Sequence, residues 1–277
     1  MLVIAGSRAM SGAPRLVSRA CLVSGAGLVT VAAPKSVVER LSKTAPAELM
    51  YLELPETSRG MLAPGAFSKV VSFVRSRKIS CVALGPGLSH EKGVSALVRR
   101  WVKILTAPIV LDADGLNAYA GKSPELKKHR SGLILTPHRR EFERLFSMKW
   151  PEKSSVRQAL AKKLSKSYDV TLVLKSHRTL VVGHEHSYEN RTGNAGMAKG
   201  GAGDVLTGII AAFVAQGLSV FEAARWAVHF HGKAGDLAVR TKSELGLLAS
   251  DIIGCLPEVF KNKQSSRFNV NTNQKIK

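Results

Sequence analysis

The segment Asn194-Ala-Gly-Met-Ala-Lys-Gly-Gly-Ala-Gly-Asp204 runs directly into an apolar stretch over residues 205–216. Gly200, Gly201 and Gly203 let the backbone come close to a ligand, because no Cβ stands in the way. The helix predicted to follow has unpaired N–H groups and a partial positive charge at its start. Together these features make an anion site suited to phosphate. A carboxylate is out of place if the site only binds phosphate. Asp204 makes sense there if it takes a proton from a hydroxyl while the neighbouring amides steady a phosphoryl group in transfer. The competing reading is structural, with Asp204 an N-cap and the glycines a tight turn.

The elements that would position this loop alternate along the chain. Residues 2–6 form a short apolar run, residues 13–25 carry helical spacing at Leu16, Ala20 and Val23, and residues 28–32 are again short and β-branched. That order predicts parallel strands joined by a crossover helix. One helix and one strand are expected between Lys35 and Gly65. Further strands are predicted over 81–85, 109–111, 133–135, 171–174 and 179–182. Helices are predicted around Val70, Val98 and Leu160, over about 220–239 and over about 248–261. The expected fold class is α/β, a three-layer α/β/α sandwich with a mainly parallel central sheet. The polar motifs fall just after strands, at the sheet edge where such folds bind ligands. Residues 1–260 read as one domain and residues 261–277 as a polar, disordered tail.

Composition bounds the rest. The chain has 277 residues, 45% hydrophobic and 22% charged, as in ordinary globular proteins. No apolar run reaches the ~18 residues of a membrane span, and no signal peptide is read, which points to the cytoplasm. Cys21, Cys81 and Cys255 lack metal-ligand spacing and read as buried free thiols. The net charge of +21 raises nucleic-acid binding as one explanation. Lys and Arg are scattered rather than interleaved with aromatics, which make up only 6%, so solvated helix faces are the preferred reading.

Several segments in order resemble the ADP/ATP-dependent NAD(P)H-hydrate dehydratases, a branch of the ribokinase-like fold. They are Gly6-Ser7 with Ser11-Gly12-Ala13, the run 24–31, Gly85-Pro86-Gly87-Leu88, the run 110–117, Leu135-Thr136-Pro137-His138 with Glu141, Val173-Leu174-Lys175 with Thr179, and the run 192–208 around Asp204. The resemblance implies that Asp204 deprotonates the hydroxyl of the S epimer of a hydrated nicotinamide coenzyme, NAD(P)HX, as it attacks the terminal phosphate of ADP or ATP. Phosphate is then expelled and NADH or NADPH restored. It implies an anion hole at Gly201, Ala202 and Gly203, with Gly203 also touching the nucleotide. Lys175, Ser176, His177, Arg178 and Thr179 would line the nucleotide site, and Ala13, Gly87 and His138 would contact NAD(P)HX. Mg2+ would be held through water by Glu141 with support from Asp112. A homo-oligomer, often a tetramer, is implied, as is an NAD(P)HX epimerase on a separate protein.

Some of these residues have plainer readings. His138 and Glu141 fit a helix N-cap and its N3 carboxylate; Asp112 and Asp114 could simply end a strand. Asn117 reads as a local hydrogen-bonder, and His229 and His231 as packing residues. The sequence departs from the family pattern at Lys199, at Ser176-His177, at Arg139-Arg140, and at Met1, which falls almost on the first strand where relatives carry a preceding stretch. Two alternatives remain in view, a small-molecule kinase of the hydroxyethylthiazole-kinase type and a catalytically inactive nucleotide- or RNA-binding protein.

Overall fold

The computed structural model describes residues 1–264. Nine strands, β1 (Leu2–Ile4), β2 (Val29–Pro34), β3 (Leu49–Leu54), β4 (Val82–Leu84), β5 (Ile109–Leu111), β6 (Leu133–Leu135), β7 (Thr171–Leu174), β8 (Leu180–Val182) and β9 (Ser187–Glu189), form one sheet. Its order is β3-β2-β1-β4-β5-β6-β7-β8-β9. The first seven of these pair in parallel, with Leu2 set between Thr30 and Val82. The last two are antiparallel additions.

The helices are α1 (Gly12–Val23), α2 (Lys35–Leu41), α3 (Ala66–Ser76), α4 (Lys92–Ile104), α5 (Asp114–Asn117), α6 (Arg139–Phe146), α7 (Ser154–Tyr168), α8 (Ala202–Ala215), α9 (Val220–Gly246) and α10 (Ala249–Gln264). They cover both faces of the sheet, so the central strands are apolar at every position rather than alternating. Val3, Ala83, Val110, Ile134 and Val173 face α1, α8, α9 and α10. Leu2, Ile4, Leu84, Ile109, Leu111 and Leu135 point the other way, into α3, α4, α6 and α7. The three-layer arrangement expected from the alternation is present.

Helix α8 is apolar nearly all round because it is enclosed on all sides. Its closest neighbour is α1, and Gly208 sets that distance. A Cβ at Gly208 would lie 2.4 Å from the Val17 carbonyl oxygen and 2.7 Å from Ala20 Cβ. Cys21 fills the same seam and donates through Sγ to the Gly208 carbonyl at 3.4 Å. The thiols are unbridged as expected, although Cys255 is partly exposed rather than buried.

Four features differ from the sequence expectation. Ser187–Glu189 forms an edge strand that carries no apolar run to betray it, since all three residues are half-buried. A short helix, Asp114–Asn117, follows β5 directly. Helix α9 extends to Gly246 through a non-helical Ser243 at φ 59°, well beyond residue 239. Helix α10 continues to Gln264, past the expected start of the tail at 261; the rest of that expected tail lies outside the described residues.

The strand order reverses between β1 and β4, which opens a crevice at their carboxyl ends. Gly208→Ala should therefore disturb the support of the glycine-rich loop. We expect it to cost about 1–3 kcal/mol in urea unfolding, the usual range for overpacking.

Candidate active site

The carboxyl ends of β5, β6 and β7 and the start of α8 converge on Asp112, which is 1% exposed. Its Oδ1 accepts from Lys175 Nζ at 2.7 Å and from Thr136 Oγ1 at 2.7 Å. Its Oδ2 accepts from Thr207 Oγ1 at 2.8 Å. One carboxylate thus ties four elements together. Gly85, at φ 130°, passes so close behind that a Cβ would sit 1.9 Å from the Asp112 carbonyl oxygen.

Lys175 also lies 3.6 Å from Glu141 Oε2. Burial alone would pull the Lys175 ammonium down, but Asp112, Glu141 and Asp204 outweigh it and hold its pKa above the usual lysine value. The cation therefore stays charged. Glu141 closes a capping box at the start of α6. His138 N–H donates to Glu141 Oε2 at 2.8 Å, and His138 Nδ1 accepts from the Arg140 and Glu141 amides at 3.1 and 3.3 Å. An Nδ1 that accepts leaves the ring proton on Nε2. Burial, reinforced by Lys175 and Arg144, pushes the His138 pKa below the ordinary histidine value despite Glu141.

Helix α8 begins at Gly201, whose φ of 89° is a left-handed conformation, and no side chain caps it. Among the loop amides, Ala202 N–H turns back to the Lys199 carbonyl at 3.3 Å. A Cβ at Gly203 would press to 3.3 Å from Lys175 Nζ, so glycine keeps the gap between the helix start and the ammonium open. Asp204 occupies the first turn. Burial, then the Asp112 charge, with smaller contributions from Asp114 and Glu141, raise its pKa to about 7; Lys175 opposes them. A carboxyl poised near neutrality in a cleft suits a general base.

Beside these groups lies a cavity of about 640 Å³. His138, Lys175, Ser176, His177, Thr179 and Gly203 all border it. Arg178 does not border it and pairs with Glu189 at 3.3 Å. Ser176 and Thr179 close the turn after β7 on each other, Thr179 Oγ1 donating to the Ser176 carbonyl at 3.1 Å. Ala13, on α1, and Gly87, after β4, meet, with Ala13 Cβ 3.1 Å from where a Gly87 Cβ would be.

The departures at the sequence level have structural outlets. The Lys199 ammonium donates to the Leu245 carbonyl. Arg139 pairs with Glu152 at 2.8 Å and Glu143 at 3.4 Å. His229 packs edge-on against Trp226. His231 borders the nucleotide-sized cavity, and burial lowers its pKa to about 4, so it is neutral.

Thr136 and Thr207 hold Asp112 in place, and neither is a candidate on residue type alone. The Asn190–Thr192 turn was missed for the same reason. Asn190 Nδ2 donates to the Val228 carbonyl at 3.1 Å, and Asp236 receives Gly193 N–H at 3.0 Å, fixing the loop before Asp204.

Among the described residues no three His, Cys, Asp or Glu side chains cluster as direct ligands for magnesium. Asp112 has three hydrogen bonds on its two oxygens and is a structural hub rather than a ligand. Glu141 borders the site with Oε2 engaged and Oε1 3.4 Å from His138 Nε2, which fits contact through water only.

A parallel sheet of this order, with a glycine-rich loop opening a buried helix at its carboxyl edge, defines a ribokinase-like α/β protein. The chain belongs to the NAD(P)H-hydrate dehydratase family, whose model matches residues 1–258. It is 37% identical over 263 residues to the bifunctional NAD(P)H-hydrate repair enzyme Nnr of Moorella thermoacetica, covering 95% of this chain and 49% of the relative. The chain thus spans about half the length of the curated relatives it matches. Among solved structures it resembles the ADP/ATP-dependent NAD(P)H-hydrate dehydratase of Bacillus subtilis co-crystallized with ATP/Mg2+. That likeness has a TM-score of 0.75 at 28% identity and covers 94% of this chain and 88% of that one. A ribokinase-like superfamily protein of Enterococcus faecalis has a TM-score of 0.76 at 27% identity, covering 94% and 86%.

Asp112→Ala would leave the Lys175 ammonium buried without its partner. The expected loss is about 3–5 kcal/mol of stability, measured by denaturant unfolding. Thr207→Val leaves the buried Asp112 Oδ2 without its donor and should cost about 1.5–3 kcal/mol.

Proposed function

We propose that this chain dehydrates the S epimer of hydrated NADH or NADPH, with ADP or ATP as phosphoryl donor. The observation that carries the reading is Asp204, a carboxyl held near neutral pKa at an uncapped helix start beside a charged lysine. The family and the Bacillus subtilis relative named as ADP/ATP-dependent support the same assignment.

In this scheme Asp204 accepts the proton of the substrate hydroxyl as that oxygen attacks the terminal phosphorus. The bond from phosphorus to the rest of the nucleotide breaks as the new one forms. Lys175 and the amides at Gly201 and Gly203 offset the negative charge on the moving phosphoryl group, since positioning and charge stabilisation dominate such transfers. Hydroxide, a poor leaving group, has then become phosphate. The ring nitrogen expels it, and loss of a proton from the neighbouring carbon restores the double bond.

Magnesium accompanying the nucleotide would neutralise phosphate charge, with Glu141 facing it through water. His138, neutral and half exposed, would contact the nicotinamide end together with Ala13 and Gly87. The nucleotide would lie in the cavity bordered by Ser176, His177 and Thr179. Relatives of about twice the length are named bifunctional, which fits a second repair activity supplied alongside this one.

Incubation of the protein with hydrated NADH or NADPH, magnesium and either nucleotide should regenerate the absorbance of the reduced coenzyme and release phosphate. Accumulation of a stable phosphorylated product without that absorbance would instead identify a kinase. Asp204→Asn should lower turnover about 10³-fold.

The pH dependence follows from the raised pKa. The base form of Asp204 is required, so kcat should rise with pH through about 7 and then level. Stability moves the opposite way. The folded carboxyl keeps its proton between its unfolded pKa and about 7, so its contribution is full at low pH and lost as pH rises through 7. Asp204→Asn should therefore be more stable than the wild type above pH 8, by about 4 kcal/mol. The difference should vanish below pH 4.

A further inference from the structure

The crevice at the strand-order reversal holds a second cavity, about 490 Å³, bordered by Ser7 and Arg8 after β1, Arg59 after β3, and Ser89 and His90 after β4. Met10 joins this cavity to the expected nicotinamide contacts, since its Cβ lies 2.9 Å from where a Gly87 Cβ would be. Asp114 joins it to the chemistry. It borders the cavity and is close enough to Asp204 for its charge to disfavour ionisation there.

Arg59, His90 and Arg8 stand around this space, and the first two already face carboxylates. Arg59 pairs with Glu91 at 2.9 Å. His90 Nε2 sits 3.2 Å from Asp114 Oδ1, while the Ser89 amide donates to Asp114 Oδ2 at 2.8 Å. Ser89 holds the left-handed φ of 89° that this turn requires. Arg8 differs. Its guanidinium has no carboxylate within ion-pair distance among the described residues, yet its backbone is pinned on both sides. Arg8 N–H donates to the Gly60 carbonyl at 3.0 Å, and the Arg8 carbonyl accepts from Arg40 at 3.0 Å. Its stem lies across Gly60, where a Cβ would meet Arg8 Cβ at 2.5 Å and Cδ at 3.0 Å. A glycine at φ 73° is what leaves room for it.

We propose that Arg8 binds a phosphate of the dinucleotide substrate in this crevice, apart from the cavity assigned to the phosphoryl donor. The proposal rests on the reading that the substrate is a hydrated nicotinamide coenzyme. An unmatched guanidinium on a fixed stem presents a planar fork of donors that suits a phosphate's oxygens. Crevices at such reversals are where open α/β sheets take their ligands. The phosphate has two possible sources, the diphosphate common to both coenzymes or the ribose phosphate that only the NADPH form carries.

The test is equilibrium binding of NADPH and of NADH, followed by nicotinamide fluorescence, in an Asp204→Asn background where no turnover intervenes. Arg8→Gln should weaken NADPH binding about tenfold, with ADP affinity and melting temperature unchanged. Equal weakening of NADH assigns Arg8 to the diphosphate; weakening of NADPH alone assigns it to the ribose phosphate and predicts a preference for hydrated NADPH. Arg8→Lys should recover part of the loss, through charge without the fork. Affinities for both coenzymes within twofold of the parent, or an equal loss of ADP, would overturn the proposal. Loss of dehydration in the wild-type protein with coenzyme binding intact would count against the proposed function and leave the Arg8 site standing.

Discussion

The contact between Lys175 and Asp112 is the constraint on which the site depends. Two opposite charges 2.7 Å apart, one of them fully buried, are unfavourable to bring out of water and very unfavourable to separate once there. The fold meets that requirement by satisfying Asp112 completely, with Thr136 from the end of β6 and Thr207 from α8 completing its shell. The same bonds fix where α8 begins relative to the sheet. Thr207 lies one turn beyond Asp204, so the helix cannot slide along its axis without breaking a buried hydrogen bond. Asp204 is thus positioned through Thr207 and Asp112.

The charges around Lys175 explain the state of Asp204. Asp112, Asp114, Glu141 and Asp204 outnumber the single ammonium, so the pocket is locally acidic in a chain whose net charge is +21. Burial and the Asp112 charge raise the Asp204 pKa to about 7, whereas the other three carboxylates have hydrogen-bond partners. Asp112 has three donors, Asp114 has the Ser89 amide, and Glu141 has the His138 amide. Environment thus holds three carboxylates in hydrogen bonds and leaves the fourth poised near neutrality. This is the separation that acid–base chemistry at neutral pH requires.

Much of this was legible in the sequence, and the limits have physical causes. The parallel strands were readable because burial on both faces makes them continuous apolar runs, as in Ile109–Leu111 and Leu133–Leu135. The edge strand Ser187–Glu189 was not, because a half-buried strand of Ser, Tyr and Glu lacks that signature. The glycines around Asp204 announced a close approach, and Gly201 and Gly203 are where the backbone needs one. Glu141 and Asp112 could be read equally as caps or as ligands, since a carboxylate after a strand serves either end. Only distances separate those roles. They show Glu141 closing a capping box and Asp112 saturated by a lysine 63 positions away and two threonines. Arg178 was grouped with its neighbours by position, but alternation along the hairpin turns it outward to Glu189.

The arrangement also bears on how one scaffold could host both a kinase and a dehydratase. Gly203, the neighbour of Asp204, borders the cavity at β6, β7 and α8, while Asp114, whose charge helps raise the Asp204 pKa, borders the crevice at β1 and β4. Phosphoryl transfer asks only that a hydroxyl and a terminal phosphate meet between them, and nothing in the Asp204 geometry selects the alcohol. Selection must come from elsewhere, for instance from the crevice, where Gly87 packs against Ala13 and Met10. Whether the phosphorylated product persists or loses phosphate is then decided by the alcohol's own ring nitrogen, which supplies the electrons for expulsion. On this view the protein contributes a transfer site and a filter, and the substrate contributes the elimination.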